Sequence, residues 1–113
     1  MGNQFTQITD TADLDQLVER SRKTPVILFK HSTTCPISSA AYKQMSKVAA
    51  AEVSLVVVQS ARDVSKEIAS RTGIEHESPQ AIVLRNGEPV WSASHFDITA
   101  SAVEQAVREH LNE

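Results

Sequence analysis

The chain has 113 residues, 41% of them hydrophobic and 22% charged, with a formal net charge of -3; this is the profile of one ordinary globular domain over residues 1–113. The acidic balance argues against a nucleic-acid partner, because neutralising phosphates needs a basic surface. No apolar run approaches the ~20 residues of a membrane span, and one cysteine excludes an internal disulfide, while no Cys/His spacing resembles a metal site.

Phe5 to Ile8 alternates like a short strand. Asp10 or Thr11 can cap a helix with Leu14, Leu17, Val18 and Ser21 on one face. Pro25 closes the linker, and Val26 to Phe29 is a continuous apolar run, as expected of a strand buried on both faces. His31 to Thr34 reads as a polar loop. Pro36 suits the first position of a helix, and Ile37, Ala41, Met45 and Val48 follow at helical spacing. Val53 to Val58 is a second buried strand. Ser60 to Asp63 resembles a capping box, opening a helix that carries Val64 and Ile68 and stops at Gly73. Ala81 to Leu84 and Val90 to Ala93 are strands joined by the hairpin signal Asn86-Gly87. Pro89 marks the second of them as an edge. Thr99 or Ser101 caps a last helix with Val103, Ala106, Val107 and Leu111 facing inward.

This order predicts an α/β protein with a thioredoxin-like fold, a central mixed sheet of about five strands with helices on both faces. Fold alone does not give function, and the chemistry rests on particular residues. With Pro36 at the first helical position, Cys35 falls at the N-cap, so the free N–H groups of Ile37 and Ser38 point toward its sulfur. The helix dipole adds partial positive charge there, and Lys30 and His31 lie just upstream. All of these favour thiolate over thiol, and the thiolate is the attacking species in disulfide exchange. The bland alternative is a buried, inert cysteine; a Ser/Thr loop beside Pro36 is a poor place for one.

Cys35-Pro36-Ile37-Ser38 is a C-x-x-C pattern with serine in the second position. A mixed disulfide at Cys35 therefore waits for an outside thiol. Ser38 is expected either to donate a hydrogen bond to the sulfur or to be a simple first-turn polar residue. Pro79 follows a long polar loop and precedes a strand. In the thioredoxin fold that position carries a cis proline facing the active thiol, with preceding backbone that pairs with an extended disulfide partner. Ser78-Pro79 is the candidate for that role. His31 borders the thiol loop and is either a supporting group or a solvated loop residue. His95 is either catalytic or a packing residue of the last helix. His76, His110, Glu75 and Glu77 read as surface positions and Trp91 as packing.

Three runs together, Thr34-Cys35-Pro36-Ile37-Ser38, Glu77-Ser78-Pro79-Gln80 and Ser94-His95-Phe96-Asp97-Ile98-Thr99, resemble the monothiol bacilliredoxin family of the YtxJ type over nearly the whole chain. The resemblance implies a thioredoxin-like fold and a place in bacillithiol redox biology. Cys35 would attack an S-bacillithiolated client protein, free the client cysteine, and hold the small thiol as a mixed disulfide that free bacillithiol resolves. It implies no bound cofactor, bacillithiol as co-substrate, and S-thiolated proteins as partners, with no nucleic acid and no membrane. No residue by itself distinguishes bacillithiol from a glutathione-type thiol.

A lone thiol suits the reducing cytoplasm, and Met1 to Thr6 lacks an apolar leader, although Gly2 and Thr6 match a loose acylation pattern. Three rivals stand beside the exchange reading. An arsenate-reductase-like enzyme would need arginines for an oxyanion, with Arg62, Arg71 and Arg85 as candidates. Peroxidase chemistry lacks the residues expected before a peroxidatic cysteine. A non-catalytic redox sensor or client-binding module would stay modified at Cys35 rather than cycle.

Overall fold

A computed structural model describes residues 5–49 and 51–113. Its elements in chain order are β1 (Phe5–Gln7), α1 (Thr11–Arg20), β2 (Val26–His31), α2 (Pro36–Met45), β3 (Val53–Val57), α3 (Arg62–Thr72), β4 (Gln80–Arg85), β5 (Glu88–Ser94), a short 3-10 turn (His95–Asp97) and α4 (Ala100–Glu109). The order of strands and helices is the expected one. The strands form a five-stranded sheet in the order β1-β3-β2-β4-β5. β1, β3 and β2 run parallel, while β4 and then β5 add antiparallel to β2.

Alternation along the two central strands builds two cores. Ile27 and Phe29 of β2 join Ala81 and Val83 of β4, and Ala41, Met45, Val103, Ala106 and Val107 of α2 and α4 cover them. Val26 and Leu28 join Ile82 and Leu84 on the other face, under Leu14, Leu17, Val64 and Ile68 of α1 and α3. β2 is therefore buried from end to end. Its last two residues inherit the same alternation, which sends Lys30 toward α1 and α3 and His31 toward α2 and α4.

Local chemistry sets the boundaries. Asp10 caps α1 by accepting from the Asp13 amide at 2.8 Å, and Thr99 caps α4 by accepting from the Ala102 amide at 3.2 Å. Gly73 ends α3 at φ 71°, and Asn86-Gly87 turns the hairpin at φ 58° and 78°, the left-handed pair a two-residue turn requires. Trp91 packs against the α2–α4 core.

Four expectations are corrected. His31 is the last residue of β2 rather than the start of the loop. The capping box at Ser60 does not form: Ala61 is the N-cap of α3, and the Ser60 hydroxyl donates to the Val57 carbonyl at 3.3 Å. Leu111 lies beyond α4 and is 47% exposed, because the helix ends before it can turn inward. His110 is half-buried against the Glu113 carboxylate, 2.6 Å away. Gly2, the residue that the acylation pattern would modify, lies outside the described residues.

Candidate functional site

The carboxyl ends of β2 and β3 meet the start of α2 at one rim of the sheet, where ligands bind in open α/β sheets. Cys35 is the N-cap of α2, in extended backbone at φ -102° and ψ 122°, and Pro36 follows as expected in the first turn. The Cys35 carbonyl accepts from the Ser39 amide at 3.0 Å, while its side chain makes no cap hydrogen bond; the approach of the Ile37 and Ser38 amides to the sulfur, expected from the cap position, is not made as hydrogen bonds. The sulfur is half-buried and is a free thiol. Thr34 beside it is exposed, and Ile37 is half-buried.

Ser38 makes no hydrogen bond to the sulfur among the described residues. It is fully buried, and its hydroxyl oxygen accepts from the Ser32 amide at 2.9 Å and lies 2.8 Å from His31 Nδ1. Nδ1, the Ser38 hydroxyl and the Ser32 amide are all satisfied when the Ser38 O–H donates to Nδ1, which leaves the imidazole hydrogen on Nε2. Of the two readings of Ser38, the bond to the Cys35 sulfur is not made, and its burial with two partners is more than a simple first-turn polar residue would need. Ser38 instead holds the end of β2 and the first loop residue against the first turn of α2. His31 is only 8% exposed, with its ring 4.9 Å from the Tyr42 ring and 5.7 Å from Phe29. Burial lowers its pKa below the ordinary 6.5, against the opposing influence of Ser38. The imidazole is therefore neutral at pH 7, and the positive charge expected from it near the thiol is absent.

Lys30 is fully buried on the opposite face of the sheet, and its Nζ has no hydrogen-bond partner among the described residues. Burial lowers its pKa from 10.5 to about 8, and the Glu77 carboxylate works the other way. An ammonium group without a partner in the interior is costly. Glu77 is half-buried rather than the surface position expected of it. It also lies 3.4 Å from His95 Nε2.

Gln59, just past β3, clamps the loop that leads to Cys35. Its Nε2 donates to Ser32 Oγ at 2.8 Å and to Thr34 Oγ1 at 3.2 Å, and its Oε1 accepts from the Thr33 amide at 3.3 Å. Sequence reading overlooks Gln59 because these contacts cross at least 25 positions of the chain. Its one signal is its place at the carboxyl end of a parallel strand.

The Ser78-Pro79 peptide is cis. Because Lys30 pairs with Gln80, antiparallel register sets Pro79 beside the end of β2, where the thiol loop begins. The Pro79 carbonyl accepts from the His95 amide at 3.1 Å, and the Ser78 backbone makes no backbone hydrogen bond among the described residues. His95 has φ 54°, a left-handed conformation uncommon for histidine. It braces the proline loop rather than the last helix. Phe96 next to it is 73% exposed.

Two of the three arginines considered for an oxyanion are committed elsewhere. Arg71 pairs with Asp15 at 2.6 Å and Glu67 at 2.8 Å. Arg85 donates to the carbonyls of Ser21 and His110, each at 3.0 Å, and to that of Glu113.

Comparison with known proteins agrees with this geometry. The family described as monothiol bacilliredoxin BrxC matches residues 6–103. A solved structure described as a candidate oxidoreductase with a thioredoxin fold is 38% identical, with a TM-score of 0.83, covering 90% of this chain and 92% of its own. Thioredoxin precursor of Schistosoma mansoni, at 19% identity, superposes with a TM-score of 0.71 over 96% of this chain and 100% of its own. Fasciola hepatica thioredoxin, at 12% identity, superposes with a TM-score of 0.67 over 93% and 98%. The fold is thus the thioredoxin fold.

Proposed function

The chain belongs to the monothiol bacilliredoxin BrxC family, and on that premise we propose that it is a monothiol thiol–disulfide oxidoreductase that takes bacillithiol, or a similar small thiol, off S-thiolated proteins. The observation that carries this reading is Cys35 at the N-cap of α2, with serine rather than a second cysteine at position 38. A helix N-terminus favours an anion at its cap, and the anion needed is the attacking thiolate.

The Cys35 thiolate attacks the small-thiol sulfur of a client mixed disulfide. The client's S–S bond breaks, the Cys35–S–S bond forms, and the client cysteine leaves as a thiolate that takes up a proton. No net oxidation occurs in this step. Ser38 has no sulfur to displace the adduct, so a second small-thiol thiolate attacks it, releasing Cys35 and a symmetric small-thiol disulfide. Ser78-Pro79 docks the client segment, with free Ser78 backbone available to an extended chain. Pro36, Ile37, Thr34 and His31 shape the thiol's surroundings rather than exchange protons with it. No cofactor or metal takes part, and the setting is the cytoplasm, where reduced small thiols are abundant.

Turnover tests this reading. With the protein far below the concentration of an S-bacillithiolated client and free bacillithiol in excess, released client thiol should exceed the protein many-fold. One release per protein molecule, followed by a stable Cys35 adduct, contradicts it and assigns a sensor role.

A further inference from the structure

Beside the thiol loop, the residues just past β3 and the first two turns of α3 border an open cavity of about 520 Å³, within the range typical of small-molecule sites. Its polar lining is Ser32, Gln59, Arg62, Ser65, Lys66 and His76, and no carboxylate lines it. Arg62 and Lys66 are exposed, and neither joins an ion pair among the described residues. Ser65 in the wall is 6% exposed, and its hydroxyl has no partner among the described residues, although buried hydroxyls ordinarily find one. Burial, and after it the Lys30 charge, lower the His76 pKa below the ordinary 6.5. Two exposed cations, with no carboxylate among the described lining residues, are the complement of a carboxylate.

The cavity is coupled to the thiol by the chain itself. Ser32 and Gln59 line it and are also the residues that hold Thr34. Ser32 and Cys35 are three positions apart, so their Cα atoms are separated by at most about 11 Å. That separation is within the length of a cysteine conjugate of tripeptide size.

We propose that this cavity recognises the carboxylate-bearing part of the small thiol whose disulfide Cys35 attacks, through Arg62 and Lys66, and so selects anionic over neutral thiols. The proposal rests on the exchange reading and specifies its substrate class. Glutathione and bacillithiol both carry carboxylates, whereas 2-mercaptoethanol does not.

One client protein loaded with bacillithiol, glutathione or 2-mercaptoethanol provides the test. The kcat/KM for thiol removal is measured for wild type, for the double variant Arg62→Gln/Lys66→Gln, and for Ser65→Ala. Both arginine and lysine are exposed, so the double variant keeps the fold. It should lose about tenfold to a hundredfold on carboxylate-bearing thiols, the range expected for lost charge-assisted hydrogen bonds. The loss should fall mainly on KM, and the mercaptoethanol disulfide should change less than twofold. Ser65→Ala, which removes a hydroxyl sealed from the cavity, should match wild type on all three disulfides. Selective loss on bacillithiol alone, or on glutathione alone, identifies the thiol the cavity fits. Equal loss on all three disulfides, or none on any, with wild type active, overturns the cavity and leaves the exchange reading intact. A wild type inactive on all three overturns both.

Discussion

Two buried cations lie at opposite ends of the central strands. Arg85, at the end of β4 away from the thiol, is 6% exposed and spreads its donors over carbonyl oxygens of Ser21, His110, Leu111 and Glu113. Lys30, one residue before the thiol-side end of β2, is fully buried, and its ammonium has no hydrogen-bond partner among the described residues. A guanidinium is a planar fork suited to several acceptors at once, whereas an ammonium is a compact charge that loses protons readily when buried. Arg85 therefore reads as an architectural tie that fastens the chain's last residues to the sheet. Lys30 is a retained cost at the rim where Cys35 and the cationic cavity lie, and such costs gather at functional sites.

The same substitution should move stability in opposite directions at the two positions. Arg85→Met strands several carbonyl acceptors and should destabilise by about 3–5 kcal/mol in urea unfolding. Equal stability would mean that water serves those acceptors as well as Arg85 does. Lys30→Met keeps the volume and removes the unpaired charge, and should stabilise by about 3 kcal/mol at pH 7.

The sign follows from linkage. Between about 8 and 10.5 the folded chain binds fewer protons at Lys30 than the unfolded chain does, so wild-type stability rises with pH across that window. The advantage of Lys30→Met should shrink as pH rises through it. A constant advantage from pH 7 to 10.5 would show that Lys30 does not titrate low.

Two smaller effects sharpen the contrast with the satisfied group next to it. Ser38→Ala leaves the Ser32 amide and His31 Nδ1 without their partner and should cost about 1–2 kcal/mol. An unchanged urea midpoint would place water in the vacated space. His31 titrates below the ordinary 6.5, so the unfolded chain binds more protons there and stability falls as pH drops through that value. His31→Gln should flatten part of this acid slope, and an identical slope in the variant would assign the loss to other groups.

What is legible in the sequence is what neighbours in the chain decide. Pro36 sets the first turn of α2 and hence the cap position of Cys35, and Asn86-Gly87 sets the hairpin. The alternation through β2 and β4 separates two cores before any contact is known. The real partners of Ser38 and His31 are not legible, because they depend on which face of the sheet the end of β2 presents and on α2 packing against it. Ser60 fits a capping box by pattern, yet α3 begins after Ala61, and the Ser60 hydroxyl donates to the Val57 carbonyl instead of accepting from the first turn. Gln59 and Lys66 carry no motif. They matter because a parallel strand and the helix after it bring them beside the thiol loop, and only the folded chain does that.

The central claim is that Cys35 is the exchanging thiol, and intact mass spectrometry tests it most directly. Wild type and Cys35→Ala are each mixed with a client carrying one bacillithiol, beside the same client carrying glutathione. The account predicts that wild type gains the mass of bacillithiol while the client loses it and exposes a free thiol, and that Cys35→Ala gains nothing. Equal transfer from both clients would keep the exchange and remove the preference for bacillithiol. Transfer to Cys35→Ala, or none to wild type from either client, would contradict the account.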